Sequence, residues 1–151
     1  MVQDLAGLET QFLSARPSGL ADRVSFQAHD FFTEQPVQGA HYLMKHILHD
    51  WPDNYNIKIL QHIVKAMGPE SKVFIVDSVV PPHGQLPYFL ERYMTALDLQ
   101  MELASRSKER SAEEWRALFK SADSSLEVKG ITQPPDCAYA LIEIGRAPSI
   151  N

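Results

Sequence analysis

The order of its hydrophobic patterns is the feature that most constrains the fold of this chain. Short apolar or alternating segments, typical of strands, are interleaved with segments whose apolar residues recur at helical spacing. Two strand patterns, 126–132 and 138–144, then follow each other with only a loop between them, which favours an antiparallel pair. The sequence therefore predicts an α/β fold, with a mostly parallel sheet, helices on both faces and a C-terminal antiparallel hairpin.

The same patterns predict the individual elements. Helices are expected over 5–15, over 54–67 with Asp53 as its cap, over 88–103, and over 112–122 behind the capping box that Ser111 and Glu114 form. Strands are expected over 24–28, 41–45 and 72–80, and residues 1–4 match the end of another strand. We interpret residues 1–151 as a single domain.

Composition excludes several classes of function. The chain has 151 residues and a net charge of −5, and its lysines and arginines form no dense cluster, so nucleic acid is not an expected partner. Its apolar runs are far shorter than the roughly 18 residues needed to span a bilayer. Residues 1–15 lack the basic start of a secretory signal. Because Cys137 is the only cysteine, an internal disulfide is excluded, and we predict a cytoplasmic protein.

A candidate general base lies in the segment 45–53. The strand pattern 41–45 precedes this segment and a helical pattern follows it, which places His49 and Asp50 at the carboxyl end of a strand. Ligands of α/β folds bind at such ends. An imidazole there titrates near neutral pH and can accept a proton, and further acids, Asp77 and Glu109, are available to orient the ring.

Several of these residues and their neighbours have alternative interpretations. His49 is alternatively a histidine that only hydrogen-bonds a loop. His46 and His49 form an H-x-x-H pair, but a zinc site needs a third ligand, so no metal is expected. No Gly-x-Ser-x-Gly elbow is present, and Cys137 has no evident base, which argues against a hydrolase. The stripe that contains Met94 and Met101 is typical either of a core or of a pocket for a flat apolar ligand.

Several motifs together resemble one family, the S-adenosylmethionine-dependent O-methyltransferases of the plant caffeate and fungal polyketide types. The resemblance covers nearly the whole chain and is strongest in the His-Asp-Trp segment. The matching motifs are Asp4-Leu5, Asp30-Phe31-Phe32, Lys45-His46-Ile47-Leu48-His49-Asp50-Trp51, and Lys108-Glu109-Arg110-Ser111 with Glu114-Trp115.

The resemblance implies a role for each candidate residue. His49 is expected to deprotonate a phenolic or enolic hydroxyl as it attacks the methyl group of S-adenosylmethionine, with Asp50, Asp77 and Glu109 around the imidazole. For the cofactor, it implies contacts with the ribose by Asp4, with the adenine by Asp30 and Phe31, and with the cleft by Lys45 and Trp51. The resemblance also implies that the acceptor is a small hydroxylated aromatic or polyketide-like molecule, and that Met94, Asp98 and Met101 lie near it.

The sequence also departs from the family pattern. The family's helical dimerisation domain and glycine-rich cofactor loop have no counterpart, and no Gly-x-Gly occurs. We therefore expect a truncated Rossmann-like sheet whose missing strand lies beside residues 1–4. Unpaired buried backbone groups cost about 1–3 kcal/mol each. Either the strand from Val24 closes against the one from His41, or a homodimer or another partner chain fills the gap.

Three functions remain open from the sequence. The first is O-methyl transfer, with the cofactor loop supplied by a missing half or a partner chain. The second is acid–base chemistry at His49 without S-adenosylmethionine, such as dehydration, cyclisation, isomerisation or a pericyclic step. The third is a non-catalytic partner that binds a longer relative.

Overall fold

The computed structural model describes residues 1–134 and 137–148. The loop predicted at Pro134-Pro135-Asp136 therefore falls partly outside the described residues. Within them, the elements in chain order are β1 Val2–Asp4, α1 Glu9–Ala15, β2 Phe26–Ala28, β3 Tyr42–Lys45, α2 Asp53–Ala66, β4 Val73–Asp77, β5 Val79–Val80, α3 Tyr88–Ser105, β6 Arg110–Ser111, α4 Ala112–Ala122, β7 Leu126–Thr132 and β8 Ala140–Arg146.

The main sheet has four strands in the order β3-β4-β8-β7. β3 and β4 are parallel, whereas β8 runs antiparallel to both β4 and β7. The predicted α/β fold with a C-terminal antiparallel hairpin is confirmed. The predicted strand 72–80 is divided, because β4 ends at Asp77 and the short β5 pairs with β6 instead.

The hydrophobic core lies where α2 and α4 pack against each other beside this sheet. Of the apolar face predicted for α2, Leu60, Ile63 and Val64 are buried, and α4 buries Trp115 and Phe119. The predicted capping box at the start of α4 is present, with Ser111 and Glu114 bonding reciprocally. None of the helices in the described ranges is both long and apolar enough to cross a membrane.

Strands β1 and β2 form a separate parallel pair. Of the two alternatives for the gap, the one in which the strand from Val24 closes against the strand from His41 is wrong, because in the described residues β2 pairs only with β1, and β3 only with β4. A cavity of about 550 Å³ separates the two sheets and is lined by residues of both edges. Leu43, on the open edge of β3, is 67% exposed.

Candidate active site

A tight turn at the carboxyl end of β3 carries His49. The backbone of His46 is left-handed, with φ of 53°, and its N–H still donates to the carbonyl of Val76 on β4. L-residues other than glycine seldom adopt that conformation, although histidine tolerates it better than most. The chain consequently leaves the sheet after His46, forms a 3₁₀ turn over Leu48–Asp50, and enters α2 at Asp53.

A buried arginine holds this turn in place. The guanidinium of Arg110 is 1% exposed and donates to the carbonyls of Leu48 and Trp51 at 3.2 and 3.1 Å. It also donates to Oδ1 of Asp53 at 2.6 Å and lies over the ring of Trp115. The prediction that Asp53 caps α2 is therefore wrong, since Asp53 is the first helical residue and its carboxylate pairs with Arg110 instead.

Two polar side chains satisfy the remaining backbone groups of the turn. The hydroxyl of Ser107 lies against the carbonyls of His49 and Trp51. The side-chain amide of Asn56 donates to the carbonyls of Leu48 and Trp51, both at 2.8 Å. Because the carbonyls of Leu48, His49 and Trp51 each have at least one side-chain donor, buried hydrogen bonds fix the backbone on both sides of His49.

Glu109 faces one ring nitrogen of His49. Its Oε1 lies 3.4 Å from Nδ1 of His49, while its Oε2 accepts a hydrogen bond from the hydroxyl of Ser78. The backbone N–H of Glu109 donates to Oδ1 of Asp98 at 2.8 Å. Burial by itself would raise the pKa of Glu109, but the hydrogen bonds from His49 and Ser78 bring that pKa below its ordinary value.

Two aspartates lie near the other ring nitrogen. Nε2 of His49 is 3.5 Å from Oδ1 of Asp50 and 4.0 Å from Oδ1 of Asp77. The hydrogen bond to Glu109, assisted by the charges of Asp77 and Asp50, raises the pKa of His49 against the opposing effect of burial. Asp77 is fully buried, and neither of its carboxylate oxygens has a hydrogen-bond partner among the described residues. Burial raises the pKa of Asp77 to about 7.

This arrangement is suited to proton transfer. The 3.4 Å approach of Nδ1 to the Glu109 carboxylate favours a neutral ring with its proton on Nδ1, and in that tautomer Nε2 is the nitrogen with a free lone pair. The side chain of His49 is 14% exposed, so the ring is partly accessible. The structure thus brings together His49, Asp50, Asp77 and Glu109, the four residues predicted as catalytic.

An aromatic cluster lies on the far side of the same turn. Trp51 packs edge-on against Phe32 with ring centroids 4.8 Å apart, and against Phe31 at 6.0 Å. Tyr55 closes the cluster beside Trp51 at 5.7 Å. Oδ1 of Asp30 accepts from the backbone N–H of Phe32 at 2.9 Å, which fixes the turn that presents Phe31.

The remaining predicted cofactor residues lie at strand ends in two different sheets. Asp4 is paired with Ala28 in the β1–β2 register, and its carbonyl accepts from the N–H of His29, so Asp4 and Asp30 lie at the same carboxyl edge. Lys45 ends β3 and is exposed. The carboxylates of Asp4 and Asp30 and the flat rings of Phe31 and Trp51 are groups of the kind that bind an adenosine. Of the predicted cofactor residues, only Phe31 lines the 550 Å³ cavity.

The predicted acceptor residues lie on α3. Met94, Asp98 and Met101 are spaced along one face of that helix. Met94 and Asp98 line a second cavity of about 370 Å³ that also reaches Glu109, whereas Met101 does not line it. The sequence did not predict the hydrogen bond that Asp98 accepts from the backbone N–H of Glu109, and this bond connects α3 to the site.

Sequence reasoning missed four residues that hold the site together. Asn56, Ser78, Ser107 and Arg110 are all buried and bond to the His49 turn or to Glu109. Only Arg110 stood within a recognised motif. The rings of His46 and His49 are nearly perpendicular with centroids 5.4 Å apart. Across residues 1–134 and 137–148, no three His, Cys, Asp or Glu side chains are grouped so as to hold a metal ion.

Comparison with known proteins identifies relatives of this chain. The family model for the O-methyltransferase domain matches residues 1–124. The O-methyltransferase pgmB of Aspergillus terreus is 46% identical over 130 residues, which are 85% of this chain and 36% of that protein. This chain therefore spans about a third of that relative's length.

Solved structures of similar fold include proteins related to this chain in sequence. LepI in complex with S-adenosylmethionine superposes with a TM-score of 0.84 at 31% identity, over 96% of this chain and 35% of that one. A structure described as a pericyclic reaction enzyme has the same TM-score at 30% identity, also over 96% of this chain and 35% of that one.

Proposed function

Because this chain belongs to the O-methyltransferase family, we propose that it carries the catalytic residues of an S-adenosylmethionine-dependent O-methyltransferase. Its acceptor is a small hydroxylated aromatic or polyketide-like molecule. One observation carries the proposal: His49 is partly buried at the carboxyl edge of the sheet, with carboxylates beside both ring nitrogens. Such a histidine is suited to accept a proton from a weakly acidic hydroxyl.

His49 acts as the general base. Nε2 takes the proton of the acceptor hydroxyl, and the positive charge that forms on the ring is stabilised by Glu109 at Nδ1. Asp77 and Asp50 contribute negative charge on the Nε2 side. The hydroxyl oxygen becomes a strong nucleophile as its proton leaves. Methyl transfer therefore requires an acceptor hydroxyl that lies within hydrogen-bond reach of His49.

S-adenosylmethionine supplies an electrophilic methyl group when it is bound. Asp4 would hold the ribose hydroxyls, while Asp30 and Phe31 would flank the adenine. Lys45 and Trp51 would line the cleft. Removing an aromatic surface that stacks on a base costs about 1–3 kcal/mol. We therefore expect Phe31→Ala to weaken binding of S-adenosylmethionine about tenfold in calorimetry.

The cavity beside Glu109 is the proposed acceptor site. Met94 contributes a soft apolar surface, and Asp98 lines the same space. Met101 lies one turn further along α3. Charged side chains, among them Glu91, Lys108 and Glu109, also line this cavity, and His49 does not. The proposed acceptor therefore places its flat part against Met94 and extends its hydroxyl group past Glu109 towards His49.

The proposal includes a strand from a second copy or another partner chain between β1 and β3. The exposed Leu43, the open edge of β3 and the 550 Å³ cavity support it. Analytical ultracentrifugation tests the homodimer: we expect Leu43→Lys to shift the wild-type dimer to monomer. A wild-type chain that is monomeric at all concentrations would contradict the homodimer.

The lone cysteine supports a cytoplasmic location.

Transfer of a labelled methyl group to a panel of phenols tests the function. We expect His49→Ala to reduce transfer by about 10²–10⁴-fold. Arg116→Ala is the control, because Arg116 is exposed on α4 and lines neither of the two cavities. Measurements above and below the dimerisation concentration reveal whether completion of the sheet is required. Undiminished transfer by His49→Ala would contradict the proposal.

A second candidate is acid–base catalysis without methyl transfer. It is favoured by the structural similarity to a pericyclic reaction enzyme. Substrate conversion that proceeds without S-adenosylmethionine and is lost in His49→Ala would support this alternative. If neither reaction depends on His49, the chain acts as a non-catalytic binding partner.

A further inference from the structure

Ser78 connects the catalytic residues to the core, although no motif identified it. It lies between β4 and β5, directly after Asp77, and is 1% exposed. The pairing of β5 with β6 aligns Val79 with Arg110, which brings Ser78 alongside Glu109. The hydroxyl of Ser78 donates to Oε2 of Glu109.

That hydrogen bond restricts the orientation of the Glu109 side chain. The backbone of Glu109 is held by Asp98, which accepts its N–H at 2.8 Å. With Oε2 held by Ser78, only Oε1 remains free to face Nδ1 of His49 at 3.4 Å. The two carboxylate oxygens therefore have different partners, and the hydroxyl of Ser78 determines which of them meets the histidine.

Ser78 is itself immobilised. The indole N–H of Trp115 donates to the carbonyl of Ser78 at 3.1 Å, and Trp115 is completely buried against Phe119. Its backbone is therefore anchored to α4 through the side chain that contributes most volume to the core. A fixed donor of this kind orients an acceptor more effectively than a mobile surface group.

We propose that Ser78 is a positioning residue for the His49 base. Its hydroxyl holds Glu109 so that Nδ1 of His49 is the protonated nitrogen and Nε2 is the proton acceptor. The consequence for turnover rests on the proposed function, whereas the consequence for the ring does not, because it concerns the protein without substrate.

Nuclear magnetic resonance of the chain tests the proposal. Nitrogen shifts of His49 report its tautomer, and the carboxyl carbon of Glu109 reports its protonation. In Ser78→Ala, Glu109 loses a donor to its charged form, so its proton affinity is expected to rise about tenfold. The neutral ring of His49 becomes a mixture of tautomers. Ser121→Ala is the matched control, since the hydroxyl of Ser121 bonds only to Ala117 on an exposed face.

Conservative variants separate positioning from packing. Ser78→Thr keeps the hydroxyl and is expected to restore both the tautomer and the proton affinity of Glu109. Ser78→Cys, a weaker donor, gives intermediate values and serves if Ser78→Ala does not fold. Unchanged signals of Glu109 and His49 in folded Ser78→Ala or Ser78→Cys would overturn the proposal.

The kinetics of Ser78→Ala distinguish the positioning role of Ser78 from the proposed function of the chain. We expect Ser78→Ala to lower kcat about tenfold with KM unchanged, because the residue does not contact the substrate. If the magnetic resonance signals change as predicted but turnover does not depend on His49, the proposed function fails while the positioning role stands. If turnover depends on His49 and the signals are unchanged in Ser78→Ala, the positioning role fails.

Discussion

The chain buries the region that holds the proposed base and leaves exposed the N-terminal region that holds three of the proposed cofactor residues. Residues 1–34, which include Asp4, Asp30 and Phe31, contain no buried residue. The region from β3 onward contains the whole hydrophobic core, and the carbonyls around His49 are held by buried donors. The proposed base is thus held by buried hydrogen bonds, whereas Asp4, Asp30 and Phe31 lie in a region without buried residues.

The difference has a physical origin. Strand β3 is held by β4, and the turn after it is fixed by Arg110 from a distant segment. Strands β1 and β2 each have three residues and pair only with one another in the described chain. Two short strands are marginally stable without further packing. We therefore expect substitutions in the two regions to differ sharply, and the following experiments test that contrast.

The largest effect is expected from Glu109→Gln. A neutral amide removes the charge that stabilises protonated His49, so turnover should fall by about 10³-fold. The pKa of His49 should move down towards its ordinary value, because the Glu109 hydrogen bond is the main cause of its elevation. Methyl-transfer rates and a histidine titration measure both changes. Glu113→Gln, an exposed residue of α4, is the control, and equal behaviour of the two variants would refute the assignment.

Arg110→Met is expected to have the next largest effect. It takes one donor away from each of the carbonyl groups that Arg110 binds, and it breaks the ion pair between the buried guanidinium and the half-exposed carboxylate of Asp53. The free energy of unfolding should fall by about 3 kcal/mol. Urea denaturation measures the change. Arg116→Met, on an exposed position of α4, should alter stability by less than about 0.5 kcal/mol. A loss as small as the control's would show that the turn is not held by Arg110.

The buried carboxyl of Asp77 makes stability depend on pH. Its pKa is raised in the folded state to about 7, so the stability it confers is complete below about pH 4 and is lost as the pH rises to about 7. Asp77→Asn removes this dependence. At pH 8 we expect the variant to be more stable than the wild type by about 2 kcal/mol, with no such gain at pH 4. Parallel stability curves across this range would contradict the assignment.

The smallest effect is expected in residues 1–34. Leu8 is 40% exposed, so in the isolated chain Leu8→Ala should change the free energy of unfolding by less than about 0.5 kcal/mol. Leu118→Ala makes the same change in the core and should cost about 2–5 kcal/mol. Similar losses for both variants, measured by denaturation, would remove the contrast between the two regions.

Local patterns predicted most of the fold. The periodicity of α2 and α4, the capping box at Ser111 and the closing antiparallel strands follow from interactions between near neighbours in sequence. The same local patterns did not predict whether β2 pairs with β3. It depends on which strand edges meet in space, and the short β2 is already paired with β1.

The site was predictable to the level of its titratable groups. His49, Asp50, Asp77 and Glu109 were identified because acids and imidazoles near strand ends are recognisable in a sequence. Ser78 and Arg110 were not, since a serine or arginine carries no signal of its burial or of the carbonyl and carboxylate it binds. The pairing of Asp53 with Arg110, rather than with the start of α2, is a long-range contact of the same kind.

The pH dependence of kcat/KM for methyl transfer tests the central claim most directly. His49 must be neutral to accept a proton, and its pKa is raised by Glu109, so the rate should increase with pH through an inflection above 6.5. In His49→Ala that inflection should disappear together with most of the rate. A profile that keeps the same inflection in His49→Ala would show that another group accepts the proton.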